Sequence, residues 1–129
     1  MNSTVKSYEH LLRVVDDWFS DVSSRFPEHV NCADGCSGCC RGLFDITLLD
    51  AALLQHGFEQ LPETVRVGIL HKAKHRLEQL QHIWPELAPP FILNLRPEEE
   101  WEELMPDEDE TPCPLLDDNG HCLVYTCRP

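Results

Sequence analysis

The chain has 129 residues, a net charge of −13, seven cysteines and 42% hydrophobic residues. That length suits one domain with a modest hydrophobic core. Nine of the 23 acids fall in one run, Glu98, Glu99, Glu100, Glu102, Glu103, Asp107, Glu108, Asp109 and Glu110, and the other 14 face 10 bases. Such a balance offers no basic face to nucleic acid or to an anionic membrane, and the run reads as a solvated helix and loop. No stretch approaches the roughly 18 apolar residues of a membrane span, and the start MNSTVKSYEHLLRVVDDWF lacks the basic and apolar regions of a signal peptide, so a cytoplasmic location is expected. An odd number of thiols in a reducing compartment argues against a disulfide framework.

In chain order, Tyr8, Leu11, Leu12, Val15, Trp18, Phe19, Val22 and Phe26 recur at three and four, which predicts one amphipathic helix from about Ser3 to Phe26. Pro27 closes it and the chain opens into Cys32-Ala33-Asp34-Gly35-Cys36-Ser37-Gly38-Cys39-Cys40, four thiols in nine residues. Thiolates are soft ligands for zinc or iron-sulfur clusters, and thiols two or three residues apart on a loop can turn toward one centre. Gly35 and Gly38 suit a loop that wraps an ion. Cys39 and Cys40 are adjacent, so in an extended segment their side chains diverge and only one faces a given centre.

Thr47 and Asp50 carry the Thr-x-x-Asp signature of a helix start, and the apolar helix that follows is expected to end at Gly57 in a left-handed conformation. A third helix should run from about Pro62 to Ile83, before Pro85, and bury Val65, Ile69, Ala73, Leu77 and Leu80. His71, His75 and His82 share its opposite face. Lys72 stands where an HExxH zinc site has glutamate, so this stripe reads as solvated. Pro97 to about Met105 predicts a short fourth helix ended by Pro106.

The remaining thiols, Cys113, Cys122 and Cys127, lie far downstream. Asn119-Gly120 between two short apolar runs is a hairpin signal that would bring Cys113 and Cys122 close together. The fold class that follows is mainly α, a small domain of three to four helices over residues 1–129, with a Cys-rich loop and a short C-terminal β-hairpin. The candidate metal ligands are Cys32, Cys36, Cys39, Cys40, Cys113 and Cys122, and the partner is a metal ion or cluster. Three close thiols plus a remote one favour an iron-sulfur cluster over zinc, whose ribbons show two separated CxxC pairs.

The order CxxxCxxCC, then CPLLDDNGHCLVYTCRP, resembles the CxxCxxCC family, described as zinc- or iron-chelating and including flagellin lysine N-methylase. The resemblance implies roles for Cys32, Cys36, Cys39, Cys40, Cys113, Cys122, Tyr125, Arg128 and Pro129. It places one more cysteine past Pro129, so that 1–129 would stop short of the family pattern, and it finds Cys127 at a variable position. It also implies a metal-dependent methyl-transfer enzyme as an alternative to simple metal binding. The residues leave enzyme status open: Cys32-x-x-x-Cys36-x-x-Cys39 has radical S-adenosylmethionine spacing, but the strand-helix units of that barrel are missing. A metal store or chaperone with exposed thiolates is a further alternative.

Overall fold

The computed structural model describes residues 1–32 and 36–128. Four helices dominate: α1 (Ser3–Arg25), α2 (Leu48–Glu59), α3 (Glu63–Ile83) and the single turn α4 (Trp101–Leu104), which continues a 3-10 turn at Glu98–Glu100. Further 3-10 turns occupy Leu93–Leu95 and Tyr125–Cys127. The expected mainly helical class holds, and no helix among the described residues is long and apolar enough to cross a membrane.

Local signals explain the helix starts. Asn2 caps α1, its Oδ1 accepting from the Val5 N–H at 2.9 Å. Thr47 and Asp50 close a reciprocal capping box: the Asp50 N–H donates to Thr47 Oγ1 at 3.1 Å, and the Thr47 N–H donates to Asp50 Oδ2 at 3.0 Å. Pro62 precedes α3 with a φ of −57°, already suited to a helix entry. Only α2 ends differently from expectation. Gly57 is not a left-handed stop; the helix runs on to Glu59.

The tertiary reason is a close approach. A Cβ at Gly57 would lie 3.1 Å from both Cβ and Sγ of Cys127 and 3.3 Å from Cγ1 of Val124, so the missing side chain lets the 3-10 turn at 125–127 settle on α2. Helix α2 also packs on α1, and its Leu53 is 0% exposed. Tyr8 of α1 donates its hydroxyl to Asp50 Oδ1, which fastens the two helices beside that core. A second cluster joins α3 to α4 through Leu80, Trp84 and Leu104, with Leu43, Leu87, Leu93 and Met105 packed around it.

The predicted stripe of α1 is only partly used. Val5 is buried and Tyr8, Leu12, Phe19 and Val22 are half-buried, while Leu11, Val15, Trp18 and Phe26 stay exposed. One neighbouring helix covers a narrower arc than the eight apolar residues span. On α3, Ile69 and Leu80 are buried, Val65, Ala73 and Leu77 are half-buried, and His71, His75 and His82 are exposed as expected of a solvated face.

The C-terminal β-hairpin is not formed. Among the described residues there are no strands, only isolated antiparallel bridges at Arg41 with Pro112 and Leu116 with Cys122. The Asn119-Gly120 turn does fold back: the Asp117 N–H donates to the His121 carbonyl and the Leu123 N–H to the Leu115 carbonyl, both at 2.9 Å. The arms cannot lengthen into strands. On one side Cys113 to Leu116 is itself a turn, with the Leu116 N–H bonded to the Cys113 carbonyl at 3.0 Å and Pro114 lacking a donor. On the other side the chain turns at Leu123 and Val124 into the 3-10 turn at 125–127.

Candidate metal centre

Two backbone pairings assemble the site. The Cys113 N–H donates to the Cys40 carbonyl at 2.9 Å and the Gly42 N–H to the Thr111 carbonyl at 2.8 Å, so the end of the first cysteine loop is stitched across the start of the second cysteine segment. Gly42 makes this crossing possible. Its φ is +75°, and a Cβ there would lie 2.8 Å from the Asp109 carbonyl oxygen. The bridge between Leu116 and Cys122 then folds the second thiol of the downstream segment back toward the first.

The consequence is visible at Cys40. Its thiol pKa is pushed up to about 11, first by burial, then by the neighbouring Cys39 charge and a side-chain hydrogen bond with Cys39, and further by Cys113 and Cys122. Cys40 thus feels thiols from its own segment and from one some 70 to 80 residues downstream. Clustered thiols with no cation resist becoming thiolates, because each negative charge raises the cost of the next. A bound cation reverses that balance and displaces the protons.

Cys39 and Cys40 do not diverge as an extended segment would make them. The chain turns at 38–40, with the Cys40 N–H donating to the Ser37 carbonyl at 3.0 Å, and Cys39 is near enough to help raise the Cys40 thiol. Gly38 is not what permits the turn: nothing lies within 4 Å of where its Cβ would be, and its φ is not left-handed. Gly35 lies outside the described residues.

The other candidates are placed differently. Cys36 is exposed on the far side of residues 33–35. Cys32 is exposed and lines a cleft of about 960 Å³ between α1, α2 and the C-terminal segment, together with His56 and Cys127. Cys127 is set there by its packing on Gly57. Tyr125 and Arg128 build one wall of this cleft: the guanidinium lies 3.8 Å from the Tyr125 ring centroid, donates to the Tyr125 carbonyl at 2.7 Å, and reaches Asp16 of α1 at 3.3 Å. Both residues therefore fasten the C-terminal segment to α1. Pro129 lies outside the described residues.

All seven cysteines are free thiols. Among the described residues no three His, Cys, Asp or Glu side chains already stand in coordination geometry. The donor chemistry at Cys39, Cys40, Cys113 and Cys122 nevertheless fits a soft or borderline cation, since it offers four sulfurs and no hard oxygen ligand. What sequence reasoning missed was the contact of Gly57 with Cys127. Its only sequence signal was a glycine inside an otherwise apolar helical run, which is equally the signal of a helix end. No family model, curated protein or solved structure matches this chain.

Proposed function

We propose that this protein binds a metal, as an iron-sulfur cluster or zinc, through the thiolates of Cys39, Cys40, Cys113 and Cys122, with Cys36 and Cys32 available from the same loop. The observation that carries the reading is the backbone crossing that sets Cys113 against Cys40, with the Cys113 N–H on the Cys40 carbonyl at 2.9 Å, and the bridge that folds Cys122 back beside Leu116. The CxxCxxCC resemblance lends support from the order and spacing of the same cysteines. The donor set suits structural or carrier roles, and free thiols throughout suit a reducing compartment such as the cytoplasm.

Elemental analysis of anaerobically purified protein tests this directly. Iron with labile sulfide and a brown colour selects the cluster, and zinc in a colourless protein selects the ion. Folded protein that takes up neither would sink the reading. Chelation then separates the roles: a structural site melts when stripped, and a store or chaperone releases metal while the fold survives.

A further inference from the structure

A smaller cavity of about 380 Å³ is lined by Arg41, Lys72, His75, Arg76, Thr111 and Cys113 among others. Beside these bases the lining carries two carboxylates, Asp117, which is half-buried, and Asp118, which is exposed, in a chain with only 10 lysines and arginines. Three bases meet here from two parts of the chain: Arg41 follows the first cysteine loop, and Lys72 and Arg76 come from successive turns of α3.

The way each charge is held decides what the cavity can take. Arg76 is ion-paired with Asp109, and both side chains are largely buried. Asp109 is further engaged, its Oδ1 accepting from the Thr111 N–H at 3.0 Å. That pair is internally balanced. Lys72 and Arg41 are held by neutral oxygens instead: Lys72 Nζ donates to the Leu116 carbonyl at 2.9 Å, and Arg41 Nη1 approaches the Glu110 carbonyl at 3.5 Å. A carbonyl orients a cation without cancelling its charge. Asp117 feels Lys72, but its Oδ1 already accepts the N–H groups of Asn119 and His121, both at 2.9 Å, in the turn.

We propose that this cavity is a binding site for a small multivalent oxyanion, phosphate or dicarboxylate, gripped by Arg41 and Lys72 beside Cys113. An ammonium and a guanidinium on the lining of one cavity can give the charge-assisted hydrogen bonds such a ligand needs, and the volume lies within the range of small-molecule sites. The site stands on this charge arrangement and does not depend on the metal reading. Its position beside Cys113 makes a metal carried as an anionic complex the natural substrate class if both readings hold.

The test is calorimetric titration of the full chain, at low ionic strength, with inorganic phosphate and separately with succinate. Saturable binding of either or both is expected, and which of them binds identifies the source of the oxyanion. Arg41→Gln and Lys72→Gln should each weaken affinity about fivefold or more, and raised salt should weaken it further. Asp118→Lys, an exposed change on the cavity lining, should tighten it about twofold and keeps the test valid should a cavity variant fold poorly. Absence of saturable binding of both anions, or unchanged affinity in the Arg41→Gln/Lys72→Gln variant, overturns the proposal. Metal content measured on the same samples reports separately on the metal reading.

Discussion

The cysteines of this protein occupy two regions built on different principles. Cys39, Cys40, Cys113 and Cys122 meet where two irregular segments cross, held by backbone hydrogen bonds and a glycine at positive φ. Cys127 sits instead on a helix, in a gap that Gly57 leaves for it, with Cys32 across the same cleft. The first region is held mainly by backbone pairing across irregular chain, with Leu116 buried between Cys113 and Cys122. The second is packed against α2 and owes its position to the fold.

The largest expected effect separates the two regions by metal. Cys40→Ser or Cys113→Ser should reduce metal from stoichiometric to below about a tenth of a site per chain, since a hydroxyl is a poor replacement for a thiolate. Cys127→Ser should leave most of it in place. Elemental analysis of the three variants checks this, and equal loss in all three would erase the distinction between the regions. In the same comparison, removal of the metal should speed hydrogen exchange at residues 36–42 and 111–123 and leave α2 nearly unchanged.

Next come substitutions in the packed region. Leu53→Ala should lower stability by about 2 to 5 kcal/mol, because it truncates a fully buried leucine of α2. Gly57→Ala ought to cost about 1 to 3 kcal/mol by forcing Cys127 and Val124 off the helix, against a gain of about 1 kcal/mol from helix propensity. Urea denaturation measures both. Pairing Gly57→Ala with Cys127→Ala should recover part of the loss, and a Gly57→Ala protein at least as stable as the parent would mean that the 125–127 turn does not rest on α2.

The smallest effects are expected from titration, and they differ in sign. Burial pushes Asp50 up, but hydrogen bonds from Tyr8 and Thr47 outweigh it and hold its carboxyl below the usual range. A depressed carboxyl adds stability above its unfolded pKa of about 4, and that stability is lost as pH falls through the folded value. Tyr8→Phe should therefore cost about 1 to 2 kcal/mol near neutral pH, with the difference shrinking in acid. Cys40 behaves oppositely. Its thiol is raised to about 11 from 9.0, so in metal-free protein the unfolded chain ionises first and stability declines between about pH 9 and 11. Cys40→Ser should flatten that alkaline slope in denaturation curves.

How much was legible in the sequence follows from the range of each interaction. The Thr47-Asp50 box, the proline before α3 and the proline after it act over a few residues, so helix existence and most helix ends could be read directly. The mainly helical class and the solvated face of His71, His75 and His82 followed from the same 3.6-residue period. The hairpin was read from Asn119-Gly120, and the turn is there, but whether it extends into strands depended on Pro114 on one arm and on the turn toward Tyr125 on the other.

By itself the sequence determined which side chains carry soft-ligand chemistry, because cysteine spacing is written in the chain. Tertiary structure alone decided that Cys40 would lie against the Cys113 segment, that Cys39 beside it would stay exposed, and that Gly57 would host Cys127 rather than end a helix. Those outcomes rest on contacts between residues about 70 positions apart, whose energies come from burial and backbone pairing that no local pattern encodes.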